Sequence, residues 1–443
     1  MRKSFLRLLK VSPSYRGSIK GRDEIPVIDK MDVFGSRRLK DFVDHKAIRR
    51  VSSFLVSSGS SGTFAFGLKT KAELRHNALR SDIGLEILYG AWSKKTLLIN
   101  CLPMGSRVYT QLPASDVGAH STRALAVIEA AAESFDQLLI IGMGHLFFKR
   151  LIEEGETRGL RWNSINAYFL SGGEAFSERA RSYLMSRWEG AGTSLDPPRW
   201  SSSGGVTELF LNALFFETPE TIRVRRELVT HPKLRRFFLS SETTAVPMVF
   251  AWDPSTSLIE IINEDSNGFG DIVVTNVDRT SLLPLTRYNL CDLGKLFTRE
   301  VLIQGFTEMG RKDLVPQFAF PWILVWGRTP RDGRMDFLEL SYQIQDAYYS
   351  ARDVVESITG NFRILSESAG PNEIIKVLFQ AKPDVSCLNV VKQSLAKALE
   401  SISSRSFHVE VKQFHEFQFN MDMSFENKFQ FYDCANAAAR TSN

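Results

Sequence analysis

From Val51 onwards the apolar positions of this chain alternate between short β-like runs and helical spacings. Val51–Val56 predicts a strand. The residues after it, Ser57-Ser58-Gly59-Ser60-Ser61-Gly62-Thr63, carry neither a hydrophobic period nor strong helix formers, so they form a loop. Residues 71–91 space their apolar side chains as an amphipathic helix, and Thr96–Cys101 returns to strand character. Residues 121–132 predict a helix, 137–141 a strand and 146–158 another helix. Residues 167–170 predict a strand that ends in Ser171-Gly172-Gly173-Glu174, and 177–189 a helix with Ser177 as N-cap. Strands alternating with helices imply an α/β layered domain with largely parallel strands. The first 50 residues, charged and weakly periodic, predict an irregular or helical lead-in.

Beyond Gly190 the texture changes. Short strands at 248–252, 259–262 and 271–275 are separated by turn residues, as in an antiparallel or barrel-like subdomain. Residues 327–333 form a polar turn containing Pro330 and mark the best boundary. After it come a helix at 340–350, strands at 362–365 and 373–380, a helix at Leu388–Ile402 and a strand at 408–414. The expected architecture is therefore a large layered α/β domain over residues 1–327, with a barrel-like subdomain, and a small α+β domain over 328–443.

Composition narrows the function classes. With 443 residues and 32 Phe the chain can bury a large core, and its formal net charge of +5 is too small to make it a polyelectrolyte, which argues against nucleic acid. Cys101, Cys291, Cys387 and Cys434 show no C-x-x-C pair, so zinc and a disulfide framework are not expected, and a reducing cytoplasm fits. The basic start has too short an apolar run for a signal sequence. No stretch reaches the roughly 18 to 20 apolar residues needed to cross a bilayer.

Four segments can carry chemistry. Small residues in the loop from Ser57 to Thr63 let backbone N–H groups wrap a polyphosphate, although the same composition suits a flexible linker, and no Walker signature is present. Gly172-Gly173-Glu174 ends a strand just before a helix, where open α/β sheets bind ligands; an ordinary tight turn reads the same. Ser201-Ser202-Ser203-Gly204-Gly205-Val206-Thr207-Glu208 ends in a hydroxyl and a carboxylate suited to Mg²⁺ beside a triphosphate, or to a helix start. Gly270-Asp271-Ile272-Val273-Val274-Thr275 precedes Arg287-Tyr288-Asn289-Leu290-Cys291-Asp292-Leu293-Gly294, where Asp292 can accept from a ribose diol and Arg287 can be its ion-pair partner.

In type, order and spacing these segments resemble the adenylate-forming superfamily of acyl-CoA synthetases, peptide-synthetase adenylation domains and luciferases, most nearly its phenylacetate-CoA ligase branch. The resemblance runs from about Val51 to the end of the chain. It implies that Ser57, Ser58, Gly59, Ser60, Ser61, Gly62 and Thr63 hold the pyrophosphate end of ATP and that Gly172, Gly173 and Glu174 lie along the adenine. It implies further that Thr207 and Glu208 meet the phosphates and Mg²⁺, and that Asp292 and Arg328 meet the ribose. Gly327-Arg328 is similar to the family's hinge, after which the small domain swings, and Lys428 stands for its C-terminal adenylation lysine.

This sequence departs from the pattern in three places. No Lys or Arg directly follows Gly62, and Lys69 and Lys71 lie farther along. Trp200 is the nearest aromatic for stacking ahead of Glu208, and Cys291 stands where the family has Gly. The implied activity is ATP- and Mg²⁺-dependent formation of an acyl or aryl adenylate, then transfer to CoA, a carrier-protein thiol or an amine. The acid site is expected between residues 145–176 and 200–216, whose aromatics favour an aromatic or apolar acid. Two other readings of the same sequence are a catalytically silent relative that binds a small acid or nucleotide, and a scaffold in a biosynthetic assembly.

Overall fold

The computed structural model describes residues 25–35, 38–57, 59, 63–103, 105–188, 198–240, 243, 245–278, 281–328, 336–365, 374–403, 405–420, 422–426 and 428–432. The lead-in forms three short helices, α1 (Lys30–Phe34), α2 (Leu39–Phe42) and α3 (His45–Ile48). Ahead of α1, Ile28 donates its N–H to the Arg287 carbonyl and accepts from the Asn289 N–H, which stitches this segment to the main sheet. β1 (Val51–Val56) and β2 (Phe66–Thr70) form an antiparallel hairpin around the Ser/Gly loop. Ser57 closes the base of that loop: its N–H reaches the Ala65 carbonyl at 2.9 Å and its hydroxyl accepts the Ala65 N–H at 2.8 Å. α4 (Lys71–Tyr89) follows directly, because Thr70 and Glu73 cap each other's backbone N–H groups, and it stops at Gly90, whose φ of 61° is left-handed.

The next stretch builds the parallel half of the sheet. It runs through β3 (Thr96–Cys101), β4 (Ala114–Asp116), α5 (Ser121–Ala131), β5 (Gln137–Met143), α6 (Gly144–Thr157), β6 (Ala167–Gly172), α7 (Glu178–Met185) and β7 (Trp200–Val206). Spatially the order is β4-β3-β5-β6-β7, every neighbour parallel. β3 is buried along its whole length, which is why it reads as an unbroken apolar run with layers on both faces. Ser177 caps α7 as expected, accepting the Ala180 N–H.

The antiparallel half continues with β8 (Phe210–Phe216), α8 (Pro219–Thr230), α9 (Pro232–Leu239), β9 (Met248–Ala251), β10 (Ser257–Ile262), β11 (Gly270–Asn276), β12 (Tyr288–Phe297), α10 (Arg299–Glu308) and β13 (Trp322–Arg328). These strands extend the sheet in the order β7-β8-β9-β13-β12-β11-β10, so the described residues make one eleven-stranded sheet. Of the two arrangements expected beyond Gly190, the antiparallel one forms. Beneath the junction of the halves lies a buried ionic cluster. Arg181 Nη2 meets Glu217 at 2.6 Å, and Arg225 Nη1 meets Glu178 at 2.6 Å, all four side chains being at most 7% exposed.

The last elements are α11 (Asp336–Ser350), α12 (Arg352–Val355), β14 (Ile358–Ile364), β15 (Ile374–Ala381), α13 (Leu388–Ile402) and β16 (Ser406–Lys412). Their strands form a separate sheet, β14-β15-β16, with β16 parallel to β15. This unit docks on the large one through buried groups. Gln345 accepts the Ser177 N–H, the Tyr348 hydroxyl lies 3.3 Å from His145 Nε2, and Lys149 donates to the Ile358 carbonyl at 2.9 Å. Most of the expected boundary turn, including Pro330, lies outside the described residues. Among those described, no helix is long and apolar enough to cross a membrane.

Candidate active site

A cavity of about 470 Å³ lies at the C-terminal ends of β5, β6 and β7, where parallel pairing gives way to antiparallel. That is the position at which open α/β sheets present ligand sites. Ser57, Gly172, Gly173, Thr207, Glu208, Asp292, Arg328 and Lys428 all border it, although they come from six separate parts of the chain.

Each group is held by a local cause. Gly173 has a φ of 76°, a conformation that lets the chain turn off β6 at the cavity edge. Thr207 and Glu208 sit in the tight turn between β7 and β8. A Cβ on Gly67 of β2 would lie 2.1 Å from the Thr207 carbonyl, so only a glycine lets β2 pass beneath that turn. Glu208, 7% exposed, accepts the Tyr288 hydroxyl at 2.5 Å. Burial first, and then the Glu208 charge, push the Tyr288 phenol well above its usual range, so it remains a donor.

Asp292 and Arg328 are direct cross-strand partners on β12 and β13, and their side chains pair at 3.5 Å. Arg287 is not the Asp292 partner that the sequence allows: it pairs with Glu260 at 3.4 Å. Cys291 adopts φ of 59°, the left-handed conformation for which Gly is the usual residue, and its N–H is held by Asn289 Oδ1 at 2.7 Å. Asn289 thus supports a left-handed turn at a residue that carries a Cβ.

Lys428 closes the cavity from the C-terminal unit. Burial lowers its ammonium pKa, the neighbouring Arg328 lowers it further, and Asp292, Glu174 and Glu208 oppose both. Glu174 does not border the cavity; its carboxylate accepts the Phe429 N–H at 2.9 Å and so anchors the residue next to Lys428. Burial raises the Glu174 pKa to about 7, against the Phe429 N–H and the Lys428 charge.

Lys30 escaped sequence reasoning. It borders the cavity from α1, where burial lowers its pKa, Glu208 raises it, and Arg328 and Lys428 lower it. The one usable signal was Asp29-Lys30-Met31-Asp32 after an apolar pair, since Asp29 and Asp32 form the capping box that starts α1. Lys30, Arg80, Arg328 and Lys428 border the same space as Glu208, Glu217, Asp253 and Asp292, so its lining carries four cations and four carboxylates.

Other expected positions lie elsewhere. Ser58, Ser60, Ser61 and Gly62 fall outside the described residues. Gly59, with φ of 67°, and Thr63, whose hydroxyl donates to the Met31 thioether, do not border the cavity. Trp200 is no stacking platform for a ligand: it is 2% exposed and stacks on Phe176 at 4.4 Å inside the core. Lys69 is an internal strut, 3% exposed, donating to the Leu209 carbonyl at 2.5 Å. His145, fully buried, also faces away from the cavity, whereas Met143, Leu170 and Phe216 do line it. The further apolar wall comes from α4 and from the loop after β3, where a helix face gave no sequence signal for a ligand.

No cluster of three or more His, Cys, Asp or Glu suited to a metal occurs among the described residues. Glu208 alone is nonetheless compatible with Mg²⁺, which takes one or two carboxylates and completes its shell with phosphate oxygens and water.

No protein-family model matches the sequence, and a search of curated proteins gives no match. Solved structures do match the fold. A 2-hydroxyisobutyryl-CoA ligase in its postadenylation state, in complex with R3-HIB-AMP, aligns over 99% of this chain and 90% of its own at TM-score 0.60 and 12% identity. An acyl acid amido synthetase, AtGH3.15 in complex with 2,4-DB, aligns over 98% and 91% at TM-score 0.54 and 12% identity. The anthranilate CoA ligase AuaEII with anthranoyl-AMP covers 86% of this chain and 66% of its own, at TM-score 0.50 and 10% identity. The chain therefore has the fold of the adenylate-forming enzymes, a mixed α/β architecture with a large multi-stranded sheet.

Proposed function

We propose that this protein is an ATP-dependent ligase of the phenylacetate-CoA ligase type that converts a carboxylic acid to its acyl adenylate and passes the acyl group to CoA or another thiol or amine. The observation that carries the reading is convergence: Ser57, Gly172-Gly173, Thr207-Glu208, Asp292, Arg328 and Lys428 border one cavity. Separate structural causes fix each of them, so a chance meeting of surface turns is a poor explanation. In this reading Asp292 accepts the ribose hydroxyls, with Arg328 steering its carboxylate. The Ser57 loop and the Thr207 hydroxyl hold the phosphates.

The substrate carboxylate oxygen attacks the α-phosphorus in line. A carboxylate O–P bond forms as the bond to the β-phosphate bridging oxygen breaks, and pyrophosphate leaves with that electron pair. Lys428 and Arg328 offset the charge that grows on the α-phosphate oxygens, so catalysis is mainly positioning and electrostatics. Glu208 would hold Mg²⁺, which supplies charge neutralisation at the phosphates. Residues 328–443 would form the unit that swings after adenylation and withdraws Lys428.

Pyrophosphate exchange with pooled carboxylic acids tests this. Wild type should exchange, while Asp292→Ala and Glu208→Ala should each lose at least a hundredfold in kcat/KM, on the order of 3 kcal/mol of transition-state stabilisation. Exchange that survived both substitutions would reject the site, and no exchange with any acid would favour a silent binder or a scaffold.

A further inference from the structure

The acid end of the cavity is walled mostly by apolar side chains, among them Ile83 and Leu88 of α4, Leu102 and Val108 of the loop after β3, and Leu170 of β6. Polar side chains interrupt that wall, Ser81, Ser106, Asn77 and Arg80 among them. Asn77 and Arg80 stand three residues apart on α4, so they share one helix face, and both border the cavity.

Asn77 Nδ2 and Arg80 Nη1 are closed off from water and find no acceptor among the described residues. Nearly all buried donors in native proteins are paired, so two orphans on successive turns of a cavity-lining face call for a ligand. Asp82, two residues on, is taken by the Thr110 hydroxyl and the Gln111 N–H. The charge that Arg80 does influence is Lys69, another cation, whose pKa burial lowers and Arg80 lowers further against Glu73 and Asp278. A donor-only guanidinium beside an amide donor matches an oxyanion.

We propose that Arg80 and Asn77 hold a second anionic group of the acid substrate, which is then a dicarboxylic acid with an apolar spacer. One carboxylate meets the α-phosphate of ATP; the other is held by the α4 pair, with the spacer against Ile83, Leu88 and Val108. This deepens the adenylation reading and rests on it for the role of the first carboxylate, while the α4 subsite itself stands on its own geometry.

The test compares the full-length protein with Arg80→Ala, Arg80→Lys and Asn77→Ala, using dicarboxylic acids of graded length, linear and aromatic, and the matching monocarboxylic acids. Pyrophosphate exchange and the shift in Tm on adding each acid without ATP are both read. A diacid of fitting length should exceed its monoacid at least tenfold in kcat/KM, chiefly through KM. In Arg80→Ala that diacid-to-monoacid ratio should fall at least tenfold, and Arg80→Lys should recover part of it. A diacid that raises the Tm of wild type but not of Arg80→Ala, without exchange, would keep the subsite and remove the adenylation reading. Exchange that ignores the second carboxylate, or an Arg80→Ala defect equal for every acid and seen as a raised KM for ATP or CoA, overturns the subsite and keeps adenylation. Neither exchange nor a Tm shift with any diacid overturns both. Should Arg80→Ala not fold, the same ratio in Asn77→Ala, expected to fall at least threefold, decides.

Discussion

Cys291 shows how much a single position can carry. Its φ of 59° lies where a residue with a Cβ is disfavoured by roughly 1–2 kcal/mol, yet the turn that presents Asp292 persists. The Asn289 side chain, bonded to the Cys291 N–H, helps hold it. Glu174 is the other residue whose environment has a measurable consequence. Its carboxyl pKa is raised to about 7 in the folded protein, chiefly by burial, from an ordinary 4.5. The folded state therefore binds more protons than the unfolded one between those values, and stability falls as pH rises from about 4.5 through about 7. Glu174→Gln should remove that part of the slope, with the two proteins diverging by roughly 3 kcal/mol across the window. Urea unfolding at a series of pH values checks this; parallel stability profiles would show that the raised pKa is not real.

At the scale of elements, local rules account for most of what forms. Thr70 with Glu73, Ser177, and the prolines at the first turns of α8 and α9 start their helices, and Gly90 ends α4. The ionic cluster under the sheet is a tertiary device instead, tying α7 to Glu217 just after β8 and to α8. Burial would raise Glu178, but Arg181, Arg225 and Arg226 override it and hold the carboxylate below its usual range. Arg225 also donates to the Phe176 and Pro247 carbonyls, so its removal strands several acceptors at once. Arg225→Ala should destabilise the protein by about 3–5 kcal/mol, as loss of one partner of a buried pair does. Equilibrium denaturation measures it, and a change under 1 kcal/mol would mean the cluster relaxes at little cost.

For the whole molecule, the decisive feature is the clamp on the chain around Lys428. Glu174 of the large unit holds the Phe429 N–H, while Arg363 on β14 donates to the Gln430 carbonyl at 2.7 Å and to the Tyr432 carbonyl at 3.2 Å. Phe431 stacks on Phe362 at 4.3 Å, and the Tyr432 hydroxyl reaches the Arg328 carbonyl. Lys428 thus enters the cavity from a segment gripped by both units. Arg363→Ala should free this segment: limited proteolysis would cut near residues 422–432 several-fold faster, and pyrophosphate exchange would fall about tenfold, roughly 1.4 kcal/mol. Unchanged cleavage together with unchanged exchange would show that the other contacts suffice.

The alternation of fully apolar runs with amphipathic spacings determined the α/β layering, the parallel half of the sheet and nearly every element after Val51, because hydrophobic period and capping chemistry are local properties. The small-residue turns and Asp292 were legible for the same reason, as was the order in which they occur. What the sequence could not decide was which surfaces meet. Whether the later strands close or extend the sheet depends on nonlocal pairing. Lys30 enters the cavity only because Ile28 joins β12, and Trp200 leaves it because Phe176 stacks there. Burial, which shifts the protonation of Glu174 and leaves Arg80 Nη1 without an acceptor among the described residues, is a property of the packed molecule, so only the tertiary structure could reveal it.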